Sequence, residues 1–151
     1  MILENIKKHK KALDVVFKRN KVVLAYIYGS VAKEKESSLS DIDIAVLLSN
    51  EVKKNKYFDL RIKISMEIDR ILKTGKTEVV CLNQVPSLLK HRAVYHGILI
   101  YDAENLESDF ELQVLQEYED FRYHLENSYK IMEKQIKNGT FGNPLTTQYN
   151  L

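Results

Sequence analysis

At 151 residues, with 44% hydrophobic and 29% charged side chains, the chain is long enough for one domain with a real core, and its composition is that of an ordinary globular protein and excludes disorder as the default. A formal net charge of +2, from 23 Lys and Arg against 21 Asp and Glu, excludes a bulk-charge argument for nucleic-acid binding. The lone Cys81 excludes an internal disulfide, no apolar run reaches membrane-spanning length, and the opening MILENIKKHKK lacks the apolar segment of a signal peptide, so a reducing, cytoplasmic setting is expected.

Ile2, Ile6, Leu13, Val16 and Phe17 recur at helical spacing up to a break at Asn20 and Lys21, and residues 22–28 form a compact β-branched and aromatic run. Helix, then strand, is the expectation. Gly29 and Ser30 end the strand, a short helix is expected over 31–36, and a polar turn over 37–40 leads into a second strand carrying Ile42, Ile44, Ala45, Val46, Leu47 and Leu48. Phe58, Ile62, Ile68, Ile71 and Leu72 predict a helix over 57–73, with Gly75 as its C-terminal stop. Residues 77–83 read as a third strand, in which Cys81 is a small buried side chain. Pro86 suits the first turn of a helix running to His96, Gly97 ends it, and 98–101 read as a short fourth strand. Phe110, Val114, Tyr118, Phe121, Leu125, Met132 and Ile136 then predict one amphipathic helix over 108–137, packed on the rest or projecting from it. The breaker cluster NGTFGNP follows, so a domain of residues 1–137 with a mobile tail, 138–151, is expected. Strands alternating with helices make an α/β or α+β domain. Residues 7–21 are mainly basic and 101–120 acidic without Lys or Arg; these read either as two solvated helix faces or as attraction to a partner.

The chemistry gathers in YGSVAKEKESSLSDIDIAVLL. Successive side chains of a strand point to opposite faces, so Asp41 and Asp43 share one face and Ile42 and Ile44 the other. A carboxylate at the start of a buried run is costly unless it is paired or holds a metal. Hard oxygen ligands at this spacing suit Mg²⁺ or Mn²⁺, bound by carboxylates together with substrate phosphates. Ten residues earlier, Gly29 permits close approach of backbone N–H groups to a phosphate, and the Ser30 hydroxyl can donate to a phosphate oxygen. Metal and N–H cradle together are the requirements of phosphoryl transfer. Glu78 is the candidate third carboxylate, as metal ligand or general base, with an ordinary strand-edge charge as the alternative reading.

Gly29-Ser30, ten residues, then Asp41-Ile42-Asp43, with Tyr28 before and Ile44-Ala45-Val46 after, resembles the signature of the DNA polymerase beta-type nucleotidyltransferase superfamily. The chain's size is similar to that of the minimal nucleotidyltransferase (MNT) branch, and the resemblance runs over residues 5–137, including Glu78, the segment HRAVYHGILIY and the last helix with Tyr118 and Asp120. The MNT pattern usually has an Arg and a Gly where this chain has Val31 and Glu34, and often an Asp where Glu78 stands. The resemblance implies a nucleotidyltransferase fold: a small mixed β-sheet with flanking helices and a long C-terminal helix. It implies nucleotidyl transfer from a nucleoside triphosphate such as ATP, with Asp41 and Asp43 holding two Mg²⁺ ions and Gly29 and Ser30 holding the β- and γ-phosphates. It also implies an antitoxin partnered with a HEPN ribonuclease toxin, which it silences by transferring AMP to a toxin tyrosine. Two alternatives stay open: an antitoxin acting by binding alone, and a free-standing enzyme for a small hydroxylated acceptor.

Other features have plainer readings. His9, His91, His96 and His124 show no zinc-ligand pattern with Cys81, Lys33 and Lys35 read as solvated helix charges, and the tyrosines as core or interface packing. The HEPN spacing of Arg, four residues, His is missing, since Arg92 precedes His96 by one residue too few, so the chain is not itself the toxin. No membrane and no direct nucleic-acid partner are expected.

Overall fold

The computed structural model describes residues 2–32 and 41–142, without the side chains of Ser30 and Val31. Two compact units are present, Met1–Val114 and Leu115–Leu151. In the first, α1 (Ile2–Lys8) and α2 (Lys10–Arg19) lead into β1 (Val22–Tyr28), the four-residue α3 (Gly29–Ala32) and β2 (Ile42–Leu48). Then come α4 (Tyr57–Leu72), β3 (Thr77–Cys81), α5 (Ser87–His96), β4 (Ile98–Asp102) and α6 (Glu107–Lys137), which runs on into the second unit. The sheet order is β3-β2-β1-β4, with β2 and β3 parallel and the other pairs antiparallel. The expected mixed sheet with flanking helices and a long last helix is therefore borne out. Among the described residues no helix is long and apolar enough to cross a membrane.

Strand parity sorts the core into two layers. Ile42, Ile44, Val46 and Leu48 of β2 pack with α1, α2 and α4 through Leu13, Phe17, Ile64 and Ile68. Ala45 faces the other side, where Leu24, Tyr26, Ala93, Val94, Phe110 and Val114 form a smaller layer beneath α5 and the first turns of α6. Each fully buried aliphatic side chain contributes about 1.5–3 kcal/mol, so these layers, and not the short helices' own propensities, fix the strands in register. Asp43 stands on the α5 side of β2 because Ile42 and Ile44 take the other side.

Four boundaries differ from the sequence expectation, each for a local reason. The first helix is interrupted at His9, where one backbone N–H is shared between Asn5 O (3.1 Å) and Ile6 O (3.2 Å). The short helix starts at Gly29, not at residue 31; the rest of the expected 31–36 segment lies outside the described residues. α4 stops at Lys73, which takes the left-handed conformation (φ 55°) while Asp69 O accepts N–H groups from Lys73 and Thr74, so Gly75 is not the cap. β3 ends at Cys81 because Asn83 supplies the next rung by side chain, its Oδ1 accepting from Leu48 N (2.8 Å) and its Nδ2 donating to Leu48 O (3.0 Å). Gly97 is compulsory by close approach: a Cβ there would lie 2.1 Å from Ala93 O and 2.7 Å from Ile27 O. The tail expected from residue 138 lies mostly outside the described residues.

In the second unit, α6 presents Phe121, Leu125, Tyr129 and Ile136 to solvent, alongside the ion pairs of Arg122 with Glu119 and Glu126 and of Lys137 with Glu133. Such exposed pairs contribute a few tenths of a kcal/mol each.

Asn20 joins α2 to α4. Its Nδ2 donates to Val16 O and to Glu67, both at 2.8 Å, and Arg19 pairs with the same Glu67 at 3.1 Å. Burial opposes ionisation of Glu67, but the Asn20 amide and the Arg19 guanidinium outweigh it and hold its pKa below the ordinary value of 4.5. A depressed acid pKa stabilises the fold above the unfolded value and ceases to do so as pH falls through the folded one. Asn20 Oδ1 is buried without a partner among the described residues, which places the cost of Asn20→Ala near the lower end of the usual range, about 1 kcal/mol. Urea unfolding is expected to show this loss in full at neutral pH and a shrinking difference from wild type below pH 4.5.

Candidate functional site

The site lies where β1 ends and β2 and β3 begin. Tyr28 pairs with Asp43 across the antiparallel β1–β2 seam, and Asp43 pairs with Glu78 across the parallel β2–β3 seam. Cross-strand partners share a face, so Tyr28, Asp43 and Glu78 form one row on the α5 side of the sheet. Asp43 and Tyr28 are half-buried and Glu78 is exposed, while Asp41 is exposed just ahead of β2. The start of β2 is tied to the segment before β3 by Ile42 N donating to Lys76 O at 2.8 Å, which sets the two acidic strand ends side by side.

Gly29 closes the opposite flank. It has φ +74°, a conformation natural to glycine, and a Cβ at this position would lie 2.5 Å from Asp43 Oδ2. The turn into α3 thus passes directly over the carboxylate, and no other residue type permits both the turn and the approach. Ser30 stands in the first turn of α3, and its side chain is outside the described residues.

Electrostatics mark Asp43 as the frustrated member. Burial first, then the charges of Glu78 and Asp41, hold its carboxyl above the ordinary range. The Tyr28 hydroxyl is pushed up to about 12 by burial and by Asp43 and Glu78, with Arg61 pulling the other way. Among the described residues, no group of three or more Asp, Glu, His or Cys side chains is assembled as a metal cage. The donor set nonetheless fits a hard divalent cation: two carboxylates separated by one residue, a third beside them, and mutual repulsion that a cation relieves.

The residue that sequence reading missed is Arg61 of α4, whose Nε donates to Val79 O at 2.9 Å, on the strand that carries Glu78. A signal was available. Tyr57, Ile64, Ile68 and Leu72 form the buried stripe of α4, and Arg61 occupies the matching place in that phase. A guanidinium on a buried stripe calls for a partner.

Comparison with known proteins agrees with this geometry. A family model described as polymerase beta, nucleotidyltransferase, matches residues 10–106. The chain belongs to this nucleotidyltransferase family. No curated protein sequence matches it. Among solved structures, the nucleotidyltransferase fold is shared with a toxin–antitoxin crystallised with AMP-PNP, at 20% identity and TM-score 0.64, covering 80% of this chain and 95% of that one. It is shared with the toxin–antitoxin MntA–HepT, at 18% identity and TM-score 0.60, covering 82% and 96%. A tri-AMPylated Shewanella oneidensis HEPN toxin in complex with MNT antitoxin matches at 21% identity and TM-score 0.59, covering 86% and 97%.

Three outcomes are expected of a site built this way. Because ionised Asp43 is disfavoured in the fold, Asp43→Asn is expected to raise Tm at neutral pH in cation-free buffer, with the gain fading as pH falls into the carboxylate range. Mg²⁺ is expected to raise the Tm of wild type and not that of the variant, read by differential scanning fluorimetry. Gly29→Ala is expected to destabilise by about 1–2 kcal/mol from its left-handed backbone alone, more if Asp43 cannot yield.

Proposed function

We propose that this chain is a Mg²⁺-dependent nucleotidyltransferase that acts as an antitoxin, transferring AMP from ATP to a tyrosine of a cognate HEPN toxin. The observation that carries the reading is the row Tyr28–Asp43–Glu78 with Gly29 folded onto Asp43, a carboxylate group set against a glycine turn. The toxin partner is supported by the fold shared with toxin–antitoxin structures and by the AMPylated toxin found with one of them.

In this reading Asp41 and Asp43, with Glu78 at their flank, hold the cation, which when bound neutralises phosphate charge and activates the attacking oxygen. Gly29 and Ser30 hold the β- and γ-phosphates, keeping the leaving group in line with the incoming hydroxyl. Glu78, exposed and one strand from Asp43, accepts the proton of that hydroxyl. Among the described residues Asp41 and Glu78 are exposed, which suits a protein acceptor better than a small molecule needing enclosure. The setting is cytoplasmic, as an adenylylated ribonuclease partner requires.

A second reading is favoured by the exposed Phe121, Leu125, Tyr129 and Ile136 of α6: silencing by binding alone. Incubation with α-labelled ATP, Mg²⁺ and the HEPN protein encoded beside it, followed by intact mass of both chains, separates the two. A gain of whole AMP masses on the toxin, abolished by Asp41→Asn with Asp43→Asn, is the expected result; a stable complex with no mass gain establishes binding alone.

A further inference from the structure

The outward face of α4 carries a second apolar stripe that its packing against the rest of the fold does not use. Tyr57, Ile64, Ile68 and Leu72 form the buried side, where α4 meets β3 and α2. Phe58, Ile62 and Met66 lie off that side and are 64%, 46% and 59% exposed. Residues four apart on a helix form one ridge, so these three side chains are contiguous. Apolar residues exposed singly are ordinary, but a continuous ridge of three large ones marks an interaction surface.

Charge along the rim selects what covers it. A shallow groove follows the ridge, with the exposed Asp59, Lys63 and Arg70 on one flank. None of the three takes part in an ion pair among the described residues, whereas Glu67, further along, is already held by Asn20 and Arg19. The flank is therefore acidic towards the start of the helix and basic towards its end. A matching partner has an apolar ridge with the opposite order of charge, and α4 itself, run in the opposite direction, meets that description. A two-fold axis at Ile62 sets Phe58 against Met66 of the second copy and Ile62 against its equivalent. Such an axis also faces like flank to like flank, which brings Asp59 level with Lys63 of the second copy to within about 3 Å along the axis, at the helical rise of 1.5 Å per residue. A net charge of only +2 opposes self-association weakly.

We propose that the outward face of α4 is a self-association surface, on which a second copy of this chain docks antiparallel about a two-fold axis at Ile62. The contact is isologous, each copy giving its ridge and receiving the other's. Ridges of residues four apart interdigitate at an interaxial angle near about −50°. With 16 residues, α4 is about 24 Å long, so its face alone falls short of the roughly 800 Å² per partner of a standard interface, and the dimer is a weak one of roughly micromolar Kd. α4 packs on the sheet face opposite the carboxylate row, so this surface is separate from the site described above.

The test is sedimentation velocity of the full chain from low micromolar to several hundred micromolar, on wild type, Ile62→Glu, Asp59→Lys, Lys63→Asp and the double variant Asp59→Lys with Lys63→Asp. Wild type is expected to show a reversible monomer–dimer equilibrium. Ile62→Glu is expected to be monomeric throughout at unchanged Tm, because the side chain it replaces is exposed. Each single charge reversal turns two attractive pairs into two repulsive ones and is expected to weaken the dimer severalfold, while the double variant restores it. Added salt is expected to narrow these differences without abolishing the wild-type dimer. A wild type that is monomeric at every concentration, or an Ile62→Glu dimer as strong as wild type, overturns the proposal. So does a double variant no stronger than the single ones, which removes the antiparallel register. A monomeric wild type that loses its complex with the HEPN protein encoded beside it on Ile62→Glu also overturns the proposal and makes the ridge a toxin-binding surface instead.

Discussion

Repulsion among carboxylates at one end of a sheet is the constraint around which the rest of this molecule is arranged. Asp43 could be made harmless by turning it to solvent, but β2 is a central strand with a helical layer on each face. Parity leaves it a half-buried place on the α5 side, next to Glu78 and close to Asp41. A fold selected for stability alone would place a Val or Thr there. The charge is tolerable because this place is only half-buried, so water screens it.

The neighbouring elements serve this arrangement at two close approaches. Gly29 brings the end of β1 against Asp43, and Gly97 lets the end of α5 close onto β1 at Ile27. Both act at the same end of the sheet, since β1 ends there and β4 starts there. The larger hydrophobic layer on the opposite face holds β1 and β2 rigid behind the site. The larger hydrophobic layer thus lies on one face and the carboxylate row at the end of the other.

How much of this could be read in advance depended on the range of the interaction. The strands 22–28 and 42–48, the long last helix, the carboxylate pair and the glycine all announce themselves within a few residues, through periodicity or fixed spacing. Features created by distant partners did not. Asn83 ends β3 by bonding to Leu48, 35 positions away, so a seven-residue strand became a five-residue one. Lys73 replaced Gly75 as the cap because Asp69 O collects two N–H groups there, which residue preference alone does not reveal. The pairing of Glu78 with Asp43 needed the strand order, although the charge at the head of an apolar run made it a fair candidate.

Arg61 shows where local pattern and tertiary structure must be read together. Counted as one more charge on an amphipathic helix, it disappears into the solvated face. Placed in the phase of Tyr57, Ile64, Ile68 and Leu72, it is an exception on the buried side, and an exception of that kind requires a partner that the helix cannot supply. The edge carbonyl of Val79, 2.9 Å from Nε, is that partner. Buried polar groups persist where they are satisfied, and Arg61 is satisfied at the strand edge by a backbone carbonyl that lies 18 positions away in the chain. Asp43 departs from its strand's pattern in the same way, but its neighbours across the strand are further carboxylates, so its departure marks the acidic end of the sheet.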